Sequence, residues 1–408
     1  MKTLKSISIL FVILFCLIAC SYVNKTLTET DLKKNSVNLA QRIIIIDSHI
    51  DVPYRLNKKM EDISTRTEGG DFDYSRAKQG GLNVPFMAIY IPPIYEKEGG
   101  AKALADSLID MVENFEKDWP DKFTMATSVA DVKKKMDSDK IILAMGMENG
   151  SGIEGDLDNL KHFHDRGIRY ITLVHSKNNN ICDSSFDEEP KWNGLSPFGK
   201  KVVSEMNQLG IMIDISHVTD STFYQVIKYS KAPVIASHSS CREFTPGWER
   251  NMSDDMIKLL ADKGGVIQIN FGSGFINKES SIIQETVMNH INNYIKSNNL
   301  KSNDKKAEEY KDKYWEENPI PYADISDLVA NIDHVVKLVG IDYVGLGSDF
   351  DGLGDSLPVG IKDVSEYPNL IYELLKIGYS NEDIIKICSD NILRVWSDVE
   401  KLAVDLNS

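Results

Sequence analysis

The sequence predicts an α/β protein, a closed (β/α)8 TIM-type barrel, and three observations carry that prediction. Eight short apolar runs recur along the 408 residues, each followed by a polar residue or glycine and then by a segment of helical periodicity. No GxGxxG turn follows the first run, which argues against a doubly wound dinucleotide-binding sheet. Asp51, Glu148, His175, His217, His238 and Asp349 fall at or just beyond the C-terminal ends of six different runs, where a barrel assembles its active site.

The predicted strands cover residues 43–47, 82–91, 141–148, 168–174, 211–216, 233–237, 266–271 and 343–348. Amphipathic helices lie between them, such as "GAKALADSLIDMVENFEKDW", "SPFGKKVVSEMNQLG" and "SDDMIKLLADKG". In the second of these Ser196 suits the N-cap, Pro197 the first helical position and Gly210 the stop. Between the seventh and eighth strands, residues 277–322 are too charged and too long for a plain loop, so a helical insertion, a candidate lid, is expected there. "DVSEYPNLIYELLKIG" and "SNEDIIKICSDNILRVW" supply C-terminal helices, and the whole domain is expected over 39–402.

The first nineteen residues begin with Lys2 and Lys5 and continue as an apolar run too short to span a bilayer, which reads as an export signal. Leu17-Ile18-Ala19-Cys20 resembles the bacterial lipobox; a plain secretory peptide ending near a cysteine is the blander alternative. Lipidation of Cys20 would leave residues 20–38 as a polar tether, anchoring a protein of the bacterial cell envelope to its membrane. The formal net charge of −15 argues against nucleic acid as a partner. Beyond Cys20 only Cys182, Cys241 and Cys388 remain, which is no disulfide framework, and no Cys/His finger spacing occurs.

Four of the eight histidines, His162, His164, His290 and His334, lie in polar helical segments and carry little information. The other four sit at strand ends, where a buried imidazole needs a ligand or a hydrogen-bond partner. His49 and Asp51, two apart on an extended chain, can close on one object. Adding Glu148, His217 and His238 gives three imidazoles and two carboxylates, too many ligands for one tetrahedral ion that keeps an open position. Two ions sharing one carboxylate solve the count, and Glu148, flanked by Gly146 and Gly150 in "GMENG", is the expected bridge. An ion-paired core carboxylate is the alternative for Glu148.

"DSHIDVP", "GMENG", "LVHSKNN", "GLSPFGKKVVSEMNQLGIMIDISHV", "SHSS", "ERNMSDDM" and "GLGSDFDG" strongly resemble the membrane dipeptidase (renal dipeptidase) family of amidohydrolase-like, metal-dependent barrels, over about residues 43–396. The resemblance implies two zinc ions per subunit: His49 and Asp51 on the first, His217 and His238 on the second, and Glu148 between them. It further implies a substrate-facing His175, an Arg250 that pairs with the terminal carboxylate of a dipeptide, and Asp349 beside the bridging water. Such a centre would cleave dipeptides with a metal-bridging hydroxide, His175 donating to the developing oxyanion and Asp349 moving the proton. Asp351 competes with Asp349 and Arg242 with Arg250 for those roles, while Lys177 stands where some members carry a disulfide cysteine. Members are often dimers, so a homodimer is an expectation, although no stretch of the sequence marks an interface. The competing functions are a related hydrolase of N-acyl amino acids, lactones or phosphoesters, and a lipid-anchored binding protein with a spent site.

Overall fold

Residues 28–301 and 304–408 are described by the structure, a computed structural model. Among them nine strands form: β1 (Ile46–Ile50), β2 (Val84–Tyr90), β3 (Phe123–Met125), β4 (Ile141–Glu148), β5 (Ile168–Thr172), β6 (Met212–Asp214), β7 (Ile235–Ser239), β8 (Val266–Ile269) and β9 (Val344–Leu346). All pairings between them are parallel, in the order β1-β2-β4-β5-β6-β7-β8-β9. The Asp349 N–H donates to the His49 carbonyl at 3.0 Å and the Asp51 N–H to the Phe350 carbonyl at 2.9 Å, so the last stave returns to the first and the barrel closes. The fold is the (β/α)8 barrel that the apolar runs predict, with all eight expected strands as its staves.

Register decides what the rim displays. Tyr90 sits opposite Glu148, Glu148 opposite Thr172, and Thr172 opposite Asp214, so four neighbouring strands end at one level. Strands covered on both faces read as continuous apolar runs, which is why they were legible without alternation. Their inward residues, among them Ile46, Val84, Phe86, Ile142, Tyr170, Met212 and Ile235, pack with the C-terminal helix Asn391–Asn407. Trp396 of that helix meets Phe86 at 5.4 Å between ring centroids, and Phe86 meets Tyr170 at 5.6 Å. A column of buried aromatics thus rises from the helix towards the rim.

The helix Pro197–Leu209 forms as its sequence predicts: Ser196 Oγ accepts the Gly199 N–H at 2.8 Å, proline opens the first turn and Gly210 ends it at φ 78°. Between β8 and β9 the insertion is two helices, Lys278–Ser297 and Lys305–Glu317, with Val287, Ile291 and Ala307 buried and the other faces largely exposed.

Three details correct the sequence reading. The first strand begins at Ile46, because Ile43 and Ile45 are spent as buried side chains at the foot of the barrel, where the Ile43 N–H caps the preceding helix on Leu39. β3 is an extra strand of three residues, too short to announce itself; it pairs with the first half of β4 while β2 pairs with the second. The expected tether over 20–38 is helical from Glu29 to Ala40, started by a capping box between Thr28 and Asp31 and held down by Leu39 and Ala40. Cys20 and the export signal lie outside the described residues. No helix among the described residues is long and apolar enough to cross a membrane.

Candidate metal centre

β4 delivers Glu148 to the rim, and the other groups converge on its two oxygens. Oε1 lies 3.1 Å from His217 Nε2, 3.3 Å from His238 Nε2 and 3.5 Å from His175 Nε2, whereas Oε2 lies 3.6 Å from His49 Nε2. His49 Nε2 is in turn 3.5 Å from Asp51 Oδ2, so the pair two residues apart does close on a common point. Three overlapping triads have ligating atoms within 4.8 Å of one another: His49, Glu148 and His238; Glu148, His175 and His217; and His49, Asp51 and Asp349. The structure therefore brings together every residue that the sequence nominated as a ligand, and adds His175 and Asp349 to the groups within ligating reach.

Two of the imidazoles, His49 and His238, are aimed by what holds the far side of the ring, whereas Nδ1 of His175 and of His217 has no partner. His49 Nδ1 shares a 2.8 Å hydrogen bond with the Tyr170 hydroxyl, the top of the aromatic column. Tyr170 fits because its partner across the β4–β5 ladder is Gly146, where a Cβ would stand 2.0 Å from the phenol ring. Gly150 serves differently: a Cβ there would meet Ile181 at 2.4 Å. His238 Nδ1 pairs with Ser237 Oγ at 2.7 Å, and Ser237 Oγ with buried Asp214 at 2.6 Å. The Asp214 carboxylate also accepts the backbone N–H groups of Ser216 and Ser237 at 3.0 and 2.7 Å. Partners of this kind fix the ring and tautomer of a metal-ligating histidine.

Four non-glycine residues on the rim hold positive φ: Asn149 at 78°, His217 at 71°, Asp349 at 65° and Asp351 at 66°. Such backbone is costly for residues with a Cβ and clusters at functional sites. It also separates the two candidate aspartates. Because the chain is not extended after β9, Asp349 and Asp351 do not share a side. Asp349 Oδ2 accepts from Asn270 at 2.8 Å within the cluster, and Asp351 turns away to Arg55 Nε at 3.0 Å and the Asp71 N–H at 2.5 Å. Gly352 is required here, since a Cβ would lie 2.3 Å from Asp51 Oδ2 and 2.5 Å from Asp349 Oδ1.

Arg250 is 2% exposed and extends into the same cluster. Its hydrogen bonds run to Ser239 Oγ at 2.7 Å, the His238 carbonyl at 2.7 Å and His217 Nε2 at 3.2 Å, all uncharged, while Nε has no partner. Burial pushes the guanidinium down to about 10, against the fields of Asp349 and Glu148. Arg242, its competitor in the sequence, is instead clamped on Asp220 at 2.5 and 2.8 Å. Lys177 pairs with Asp187 at 2.9 Å, and Cys182, Cys241 and Cys388 are buried free thiols.

The electrostatics call for cations. Burial, then the Arg250 charge and His175, holds His217 well below the usual imidazole range; burial, then His49 and Arg250, does the same to His238. Neutral imidazoles are the ligating form. Burial drives the Asp349 carboxyl well above its ordinary range, opposed by His49 and reinforced by Asp51 and Glu148. Buried His49 Nε2 and Asp51 Oδ1 have no hydrogen-bond partner although they face each other's carboxylates and rings. Orphaned lone pairs among crowded carboxylates fit bound dications.

Tyr170, Asp214, Ser237 and Asn270 were missed in the sequence. The legible signal was Asp214, a carboxylate inside the apolar run "IMIDIS". Tyr170 reads as an ordinary core aromatic until the register places it under His49.

A parallel eight-stave barrel with imidazoles and carboxylates gathered at the C-terminal ends of its strands defines a metal-dependent hydrolase. The family model for "Membrane dipeptidase (Peptidase family M19)" matches residues 33–408, and the chain belongs to that family, a metal-dependent hydrolase acting on peptide bonds. The dipeptidase aclJ of Aspergillus oryzae is 32% identical over 344 residues, covering 83% of this chain and 72% of that one. The crystal structure of the probable dipeptidase PvdM from Pseudomonas aeruginosa superposes with a TM-score of 0.79 at 28% identity, covering 91% of this chain and 99% of that one. A metallo peptidase from Rhodobacter sphaeroides shares the fold at a TM-score of 0.71 and 24% identity, with 88% and 99% covered.

Proposed function

We propose that the chain is a zinc-dependent dipeptidase with two metal ions per subunit. The observation that carries this reading is the position of Glu148, with Oε1 towards His217 and His238 and Oε2 towards His49. One carboxylate thereby serves two sets of ligands: His49 and Asp51 on one side, His217 and His238 on the other. A donor set of imidazole and carboxylate, without thiolate, suits zinc. Held by these residues, such a pair would lower the pKa of a water towards neutrality and polarise a carbonyl oxygen.

The chain's own residues do the rest. Arg250 receives the terminal carboxylate of the substrate, because a buried guanidinium without a charged partner gains most from an anion of the right shape. A dipeptide carries that carboxylate one residue from its only peptide bond, so a fixed arginine reads substrate length. His175, with 21% of its side chain exposed and Nε2 turned to Glu148, donates to the scissile oxygen as negative charge develops. Asp349, pinned by Asn270 and raised in basicity by burial, accepts the proton of the attacking water and returns it to the leaving amine.

Export, lipidation at Cys20 and attachment to the bacterial envelope membrane are part of the same proposal, and rest on Lys2, Lys5, the apolar run after them and the "LIAC" motif. A homodimer is likewise a proposal from the family likeness.

The deciding experiment compares a free dipeptide with its C-terminal amide and its N-acetyl derivative, before and after chelation. The dipeptide should be cleaved, the amide at least roughly tenfold less well by kcat/KM, and chelation should abolish turnover until zinc is restored. Equal cleavage of dipeptide and amide contradicts the role of Arg250; preference for the N-acetyl compound favours the hydrolase of N-acyl amino acids.

A further inference from the structure

Arg250 has aromatic company. Its guanidinium carbon lies 5.2 Å from the centroid of Phe275, Trp248 packs on Phe275 at 5.0 Å, and Phe186 meets Trp248 edge-on at 6.0 Å. Phe186 also stands 5.7 Å from the ring of His217. The three rings therefore form one wall running from the buried guanidinium to the mouth of the site. Phe275 is 7% exposed, whereas Phe186 is 40% exposed.

A phenylalanine left that open to water is held there by a well-tied loop. Asp183, fully buried, accepts the N–H groups of Lys191, Trp192 and Gly194 at 2.8, 3.0 and 2.9 Å. The Ser184 hydroxyl donates to the His175 carbonyl at 2.5 Å, and the Ser185 N–H to the His217 carbonyl at 2.8 Å. The residues immediately before Phe186 are thus bonded to the backbone of two residues of the metal cluster. Aromatic rings lining the mouth of a site are the usual walls of a ligand pocket.

We propose that Phe186 and Trp248 form an apolar subsite for the side chain of the substrate's C-terminal residue, so that the enzyme selects dipeptides ending in a large apolar or aromatic residue. The inference rests on the dipeptidase reading, with the terminal carboxylate on Arg250. In such a substrate the α-carbon of the last residue is bonded directly to the carboxylate carbon, so its side chain must lie against whatever flanks the guanidinium. One flank of it is the aromatic wall, which begins at Phe275. Of the two lysines flanking Phe186 in sequence, Lys177 is engaged by Asp187 at 2.9 Å and Lys191 lies over the Trp192 ring, its ammonium 4.7 Å from the centroid.

The test measures kcat/KM on zinc-loaded enzyme for Ala-Phe, Ala-Leu, Ala-Ala and Ala-Asp, and for the reversed Phe-Ala. Ala-Phe and Ala-Leu should exceed Ala-Ala and Ala-Asp by roughly 10- to 100-fold, chiefly through KM. Phe-Ala should show no such gain. The double variant Phe186→Ala, Trp248→Ala should bring the Ala-Phe to Ala-Ala ratio close to one, and the conservative Trp248→Phe should keep most of it. A wild-type ratio near one, or a preference that survives the double variant, overturns the subsite and leaves the dipeptidase reading standing. If no dipeptide is cleaved at all, the dipeptidase reading fails and the subsite falls with it.

Discussion

Towards Oε1 of Glu148 the rim carries His217 and His238, with the buried cation of Arg250 bonded to His217; towards Oε2 it carries His49, in one cluster with the carboxylates of Asp51 and Asp349. The two halves are supported differently. The imidazole half leans on a carboxylate, Asp214, through Ser237 and the backbone of β6 and β7. The carboxylate half leans on neutral groups, the Tyr170 hydroxyl under His49 and the Asn270 amide under Asp349. Burial holds the imidazoles of the first half well below their usual range and raises the Asp349 carboxyl of the second well above its own. On the proposed mechanism, that asymmetry would separate carboxylate binding at Arg250 from proton transfer at Asp349.

Removing the group common to both halves should do the most damage. Glu148→Gln should lower turnover by roughly a thousandfold or more and reduce the metal retained after dialysis, measured by elemental analysis alongside circular dichroism. Retention of two equivalents with normal turnover would break the comparison at its centre. His217→Ala should act on one half only, losing one metal equivalent of two and roughly a hundredfold or more in kcat, with the fold intact.

The supports should matter less, and separately. Tyr170→Phe should weaken the His49 side and Ser237→Ala the His238 side, each by about 10- to 100-fold in metal affinity, read by competition with a chelating dye. If each variant weakened both ions equally, the halves would not be independent.

The smallest effect concerns the brace behind the carboxylate half. Asp71 and Asp351 exchange backbone hydrogen bonds at 2.5 and 2.8 Å, and burial raises them to about 6 and about 7, opposed by the Asp351 N–H in the first and by Arg55 in the second. A carboxyl raised on folding binds a proton more tightly in the native state, so its contribution is present below its ordinary pKa and lost as pH rises through the folded value. Wild-type Tm should therefore fall between about pH 4 and about pH 7, and Asp71→Asn should show a shallower slope across that window. An identical slope would remove this pair from the pH dependence.

How much of this was legible follows from the physics of each signal. The staves were readable because strands buried on both faces must be apolar throughout, and the ligands because they interrupt that pattern at strand ends. Asp351 competed with Asp349 in the sequence because residues two apart share a side of an extended chain; here both take positive φ and Asp351 turns away. Gly146 was legible only as a neighbour of Glu148: it clears space for the Tyr170 ring, a fact that lives in the β4–β5 register and not in the local sequence. The Glu29–Ala40 helix was hidden by its polarity, although Thr28 and Asp31 already spelled its capping box.

The most direct measurement is a crystal structure of the zinc-loaded protein with anomalous data collected on both sides of the zinc edge. Two anomalous peaks should straddle Glu148, one bounded by His49 and Asp51 and the other by His217 and His238. A single peak, or zinc bound away from Glu148, would contradict a shared dinuclear centre.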